Sequence, residues 1–125
     1  MDSAFLLGFV LASAAPANPG ADPQLEHCLA TAQGIAPVRL CYKTALARVD
    51  AAVAERMASL PARLRAGHVP PAALAKGDAA WKAYRNSWCA FEEAAEHDAG
   101  ARDTTGLQCR VELGQDHLAR LKHAY

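Results

Sequence analysis

Apolar residues recur at steps of three and four positions through most of this 125-residue chain. β-branched residues do not alternate with polar ones, so the pattern is that of amphipathic helices rather than of strands. It predicts one long helix over about 38–66, with Pro37 in its first turn and Gly67 at its end. The apolar positions that define this helix are Val38, Cys41, Tyr42, Ala45, Val49, Ala52, Val53 and Leu60.

Three further helical segments flank the long helix. A short helix is predicted before it, over about 22–33. A third helix is predicted over about 71–98, with Gly100 closing it. The last helix is predicted to begin at Thr104 or Thr105 and to run to the end of the chain.

The N-terminal residues, MDSAFLLGFVLASAAPANPGADP, have the character of an export signal. An apolar run over 4–12 is followed by small residues that a signal peptidase accepts. We expect a signal peptide over 1–17, a post-signal linker over 18–23 and a helical domain over 24–125. Asp2 stands where a basic residue is usual, which leaves a buried N-terminal helix as the alternative. The run is shorter than the ~20 residues that span a bilayer, so we expect a periplasmic or secreted protein without a stable membrane anchor after cleavage.

The chain contains four cysteines, Cys28, Cys41, Cys89 and Cys109. An even number in a small exported domain is typical of disulfides rather than of free thiols or metal ligands. Neither CxxC nor CxxCH occurs, which argues against zinc, a thioredoxin-like role and covalent haem. Of three possible pairings we predict Cys28–Cys41 and Cys89–Cys109, because each joins neighbours across a Gly-containing break. The predicted fold is all-α: a small disulfide-stapled bundle of three main helices plus a short leading helix.

The composition argues against several classes of function. Lys+Arg and Asp+Glu number 13 each, so the chain lacks the basic excess of a nucleic-acid-binding protein. Its five histidines are scattered without an i,i+4 pair, and neither GxSxG nor a Gly-rich phosphate loop occurs. His97 and Asp98 are adjacent, so on a helix their side chains point about 100° apart and make a poor acid–base pair. We therefore expect a binding protein without catalytic residues, metal or cofactor.

The stretch WKAYRNSWCAFEEAAEH, residues 81–97, concentrates the aromatic residues. At 100° per residue, one stripe of this helix contains Trp81, Tyr84, Trp88, Phe91 and Ala95. An apolar stripe of this kind is typical of a core-facing surface, so we expect it to be buried.

Arg85 and Glu92 fall in the same sector as Trp81 and Trp88. An arginine there can stack on a tryptophan and satisfy its donors with a carboxylate and backbone carbonyls. A structural role for Arg85 on the inner face, beside Glu92, and a direct role in binding both remain open.

The third helix contains the pattern W-x-x-Y-R-x-x-x-C, which consists of Trp81, Tyr84, Arg85 and Cys89. The pair Cys28 and Cys41 precedes this pattern, and Cys109 follows it. This pattern resembles the lysozyme inhibitor LprI-like, N-terminal domain family over about residues 24–122. The resemblance implies a secreted, all-helical, disulfide-stapled domain. The family's named member inhibits lysozyme, and its other members mostly lack an assigned role.

Outside the cysteines and the Trp-Tyr-Arg core, the chain departs from the family's pattern. Asp50 matches the aspartate that follows the family's first cysteine pair. The Leu-Asn-x-x-Tyr element beside it is replaced at Val53, Ala54 and Met57, and the final Leu-Thr-x-x-Arg appears as Leu113, Gly114 and His117. The resemblance therefore implies the architecture more strongly than inhibition, and a non-inhibitory envelope interaction or structural domain is the alternative function.

Charge is unevenly distributed along the helices. The long helix carries six basic residues over 39–65, whereas EEAAEHD gives the third helix an acidic end. Solvation and pairing between helices account for such charges equally well, but an acidic end also steers a cationic partner, and lysozymes are commonly cationic. For a lysozyme partner we predict that the loop 100–105, held by the second cysteine pair, covers the enzyme's cleft with Arg102 at its tip. The predicted contact residues are Glu93, Glu96, Asp98, Arg102 and Asp103.

Overall fold

The fold is described from a computed structural model, which describes residues 22–123. The expected signal peptide and residues 18–21 of the expected linker lie outside the described residues. Within 22–123 the chain forms four α-helices and no strand: α1 (Pro23–Thr31), α2 (Ile35–Ala66), α3 (Pro71–Ala95) and α4 (Arg102–His123). The predicted all-α bundle with a short leading helix is confirmed. None of these helices is both long and apolar enough to cross a membrane.

The long helix is confirmed, and it begins three residues before the predicted start. Pro37 lies in its first turn, where the absence of an N–H costs no helical hydrogen bond. At the other end, His68 rather than Gly67 adopts a left-handed backbone, with φ of 61°. The Val69 amide then donates to the Leu64 carbonyl oxygen at 3.0 Å, which closes the helix before the two prolines.

The turn between α3 and α4 lies about three residues earlier in the chain than predicted, over 96–101. The Asp98 carboxylate accepts the Gly100 amide at 2.9 Å, and its carbonyl oxygen accepts the Ala101 amide at 3.0 Å. This Asx-type turn competes with helix continuation, so α3 ends at Ala95 and α4 begins at Arg102. Most of the predicted loop 100–105 is therefore the first turn of α4.

The core lies mainly between α2 and α4. The buried residues of α2 fall on one face, and those of α4 oppose them across a close contact at Gly114. A β-carbon added at Gly114 would lie 3.0 Å from a methyl of Val49, so the glycine sets how near the helices approach. The buried residues of the two helices are Cys41, Ala45, Val49, Val53 and Leu60 in α2 and Gly106, Cys109, Val111, Gly114 and Leu121 in α4.

Both predicted disulfides are confirmed. Cys28–Cys41 joins α1 to α2, and Cys89–Cys109 joins α3 to α4. Cys89 is fully buried, and it is the buried residue of α3 within the described chain. The second bridge is therefore the deepest anchor of α3 to the rest of the bundle.

We predict different consequences for loss of the two bridges. A Cys89→Ala/Cys109→Ala variant should lose about 3 kcal/mol in its free energy of unfolding, and the melting temperature of the whole bundle should fall. A Cys28→Ala/Cys41→Ala variant should mainly release α1, which packs on α2 at the edge of the bundle. Circular dichroism during heating, with hydrogen exchange resolved by helix, measures both effects. If both variants lose the same protection against hydrogen exchange in α2, α3 and α4, the predicted difference between the two bridges is wrong.

Candidate protein-binding surface

Arg85 lies where α2, α3 and α4 meet. Its side chain is only 12% exposed, and its Nη1 donates to Oδ1 of Asp50 on α2 at 2.6 Å. The guanidinium carbon lies 4.7 Å from the centroid of the Trp81 ring. That ring also stacks on His117 of α4, with centroids 3.9 Å apart and planes 11° from parallel. A cation–π contact, a ring stack and an ion pair thus connect three helices at one point.

Arg85 pairs with the carboxylate of Asp50. The sequence pattern had placed Arg85 beside Glu92 instead. Glu92 instead accepts a hydrogen bond from the indole Nε1 of Trp88 at 2.9 Å. Trp88 precedes Glu92 by one helical turn, so the two side chains lie on the same side of α3. In α3, the Glu92 carboxylate therefore orients the Trp88 ring, whereas the ion-pair partner of Arg85 lies on α2.

The prediction that the aromatic stripe of α3 is buried is wrong for most of its length. The relative solvent exposure of the residue is 53% for Tyr84, 45% for Trp88 and 59% for Phe91, and Ala95 is exposed as well. The bond from Cys89 to α4 explains this, because it turns the Arg85–Cys89 side of α3 inward. At 100° per residue, the three exposed rings lie about 110° round the helix from that side.

Tyr84, Trp88 and Phe91 form what we call the aromatic strip. Its residues recur at i, i+4 and i+7, so they follow one line along α3. The Trp88 and Phe91 rings are in contact, with centroids 5.4 Å apart and a tilt of 42°. Sequence reasoning missed this surface, although the predicted bridge at Cys89 was a signal that would have placed it outside.

The acidic end of α3 is folded around Glu96. Its Oε1 accepts the Asp98 amide at 3.1 Å, and its Oε2 accepts the Thr105 hydroxyl at 3.1 Å. These two hydrogen bonds lower the pKa of the Glu96 carboxyl below its usual value. Arg102 lies over the same turn, with its Nε donating to the Glu96 carbonyl oxygen at 3.0 Å. Glu96 and Arg102 are thus brought together, and Arg102 is exposed at the start of α4.

The other predicted contact residues lie around this turn and take part in ion pairs or turns. Glu93 lies 3.6 Å from Arg110 on α4, and Asp103 pairs with Arg39 on α2 at 2.7 Å. Asp98 holds the turn itself. These pairs leave a partly neutralised surface at which Asp98 and Asp103 remain exposed.

The described residues present a surface suited to binding. In residues 22–123, no group of three or more His, Cys, Asp or Glu side chains is placed to hold a metal ion. The features that stand out are the exposed aromatic strip and the acidic turn beyond it. Aromatic side chains are enriched in the surfaces through which proteins contact one another, and polar groups surround them at the rim.

The family model described as Lysozyme inhibitor LprI matches residues 28–121. This range includes both disulfides, the Arg85–Trp81–His117 contact and all three main helices up to the last turn of α4. No curated protein and no solved structure matched the chain.

We expect Arg85→Ala to lower the free energy of unfolding by about 1–2 kcal/mol. The variant loses the contact with Trp81, but Asp50 is 44% exposed and stays hydrated without its partner. Arg85→Lys is the matched control, since it keeps the charge and loses the planar stack. Chemical denaturation of Arg85→Ala, Asp50→Ala and the double variant should give a coupling of about 0.5–1 kcal/mol. If the losses in unfolding free energy of the two single variants add up to that of the double variant, the ion pair contributes nothing to stability.

We predict that His117 makes stability fall in mild acid. Burial lowers the pKa of His117, nearby Arg85 and Arg120 lower it further, and Asp78 opposes them. The unfolded chain therefore binds this proton at a higher pH than the folded chain, so stability is complete above the ordinary value of 6.5 and is lost as pH falls through it. His117→Phe keeps a ring against Trp81 and should flatten the dependence between about pH 7 and about pH 5.5. Equal slopes for both proteins in denaturant titrations would contradict the prediction.

Proposed function

The chain belongs to the lysozyme inhibitor LprI family, and from this membership we propose that it is an extracytoplasmic protein that binds lysozyme and inhibits it. The observation that carries the proposal is the family match over residues 28–121, which is most of the chain. The match spans the folded bundle rather than a single motif, which supports the whole domain as the inhibitory unit.

The disulfides support an extracytoplasmic location. All four cysteines of the chain are paired, and the pairs join α1 to α2 and α3 to α4. Such bridges form and persist in oxidising compartments, which include the periplasm and the extracellular medium. We propose periplasmic or secreted localisation on this ground and on the export-like N-terminal sequence.

We propose that inhibition is steric: the bound domain covers the lysozyme cleft and keeps the cell-wall polymer out. The acidic end of α3 supports this, because its charge complements the basic surface common among lysozymes. Within that end, Glu93, Glu96 and Asp98 contribute attraction. Arg102 and Asp103, at the start of α4, lie where the turn would meet the partner.

The proposal predicts a dose-dependent effect in a turbidity assay. A lysozyme added to a suspension of cell walls should clear it more slowly when the oxidised protein is present in excess. Inhibition should weaken as salt is raised, since charge attraction is screened. The assay uses lysozymes of several classes, because the family match does not specify one.

The matched control is the Cys89→Ala/Cys109→Ala variant, in which the anchor of α3 is removed. It should inhibit less in proportion to its loss of folded structure. Undiminished clearing with every lysozyme class, at concentrations well above that of the enzyme, would contradict inhibition and favour a structural role in the cell envelope.

A further inference from the structure

The aromatic strip is an apolar surface without a partner in the described part of the chain. Tyr84, Trp88 and Phe91 each expose about half of their side chains, although tryptophan and phenylalanine gain most from burial. The strip faces away from α2 and α4, so no described helix covers it. Apolar side chains grouped on one exposed face are typical of interaction sites.

Contacts within α3 and the second disulfide orient the strip. Cys89, which lies next to Trp88 in sequence, is bonded to α4 and fixes the rotation of the helix. Glu92 accepts the indole hydrogen of Trp88, and the Phe91 ring packs against that of Trp88. A partner would therefore bind rings that are already oriented, with little loss of side-chain freedom.

The charges beside the strip indicate the chemistry of the partner. Between residues 83 and 98 the carboxylates are Glu92, Glu93, Glu96 and Asp98, and the single Lys or Arg is Arg85. Arg85 is mostly buried and paired with Asp50, and Glu93 is partly offset by Arg110 of α4 at 3.6 Å. Glu92, which accepts the indole hydrogen of Trp88, is the carboxylate beside the strip. An aromatic face with a carboxylate at its edge attracts lysine and arginine side chains through cation–π contacts and ion pairs. The complementary partner is a basic protein surface.

We propose that the aromatic strip is the surface that contacts lysozyme, with Trp88 and Phe91 providing most of the affinity and Glu92 receiving a basic side chain of the enzyme. This inference rests on the proposed function and names the site through which it acts. Buried tryptophans at the centre of an interface dominate binding energies, whereas charges at the rim act mainly on the association rate. The acidic turn around Glu96 is then the rim, and the strip is the centre.

The test measures binding of purified, oxidised full-length variants to an immobilised lysozyme that the unmodified protein inhibits. Trp88→Ala and Phe91→Ala should each raise Kd about tenfold or more, chiefly through faster dissociation. Leu40→Ala is the matched control, because Leu40 is also a large apolar residue, 64% exposed, but lies on α2. Its Kd should stay within about twofold of the unmodified value. All three residues are exposed, so melting temperatures should change little.

Charge variants separate the centre from the rim. Glu93→Gln should slow association and reduce its salt dependence, with a smaller effect on dissociation. Glu96 is left unchanged, because its carboxylate holds the turn. Glu92→Gln keeps an acceptor for the Trp88 indole and removes the charge, so it should raise Kd while leaving the melting temperature unchanged.

The outcomes distinguish the two proposals. If the unmodified protein binds and inhibits a lysozyme, and Trp88→Ala and Phe91→Ala bind as tightly, the strip is not the contact and the proposed function stands. If the unmodified protein binds none of the lysozymes, both proposals fail. If sedimentation shows that the strip instead joins two copies of this chain, and the variants become monomers with unchanged affinity for lysozyme, the inference is also overturned.

Discussion

The Cys89–Cys109 bond determines which side of α3 faces the bundle. It buries Cys89 completely against α4, and the helix has no other residue as deeply placed among those described. Arg85, one turn before Cys89, is thereby turned inward to meet Asp50 and Trp81. The same rotation carries Tyr84, Trp88 and Phe91 to the outside. A single covalent link between two helices thus determines both the polar centre of the fold and its exposed apolar surface.

Helix content and disulfide pairing were predictable from the sequence for simple reasons. The apolar positions of α2 repeat at helical spacing because one face packs against α4 along its length. Each cysteine pairs with its neighbour in sequence, across the turn that joins two helices. The end of α3 was not predictable in the same way, because it depends on the carboxylates of Glu96 and Asp98 bonding to backbone amides of one turn. Such local competition leaves no trace in apolar periodicity.

The exposed strip and the partner of Arg85 were missed for a different reason. An apolar stripe indicates the buried face of a helix only when burial of that stripe determines how the helix packs. In α3 the disulfide at Cys89 determines the packing, and Cys89 lies on a different side of the helix from the stripe. Asp50 lies 35 residues before Arg85 on a separate helix, so their pairing depends on tertiary structure. Family resemblance singled out both residues without joining them. It also identified His117 as a departure from the family's arginine, and the structure places that imidazole against Trp81.

The way the core is built leaves the strip free for binding. The contact between α2 and α4 uses small residues, such as Ala45 and Gly114, and a β-carbon at Gly114 would press on Val49. Helices packed this closely leave little space for large rings between them. Stability comes instead from aliphatic burial and from two disulfides that restrict the unfolded chain. Because the fold does not depend on burying Trp88 or Phe91, these residues can be selected for what they contact outside the domain.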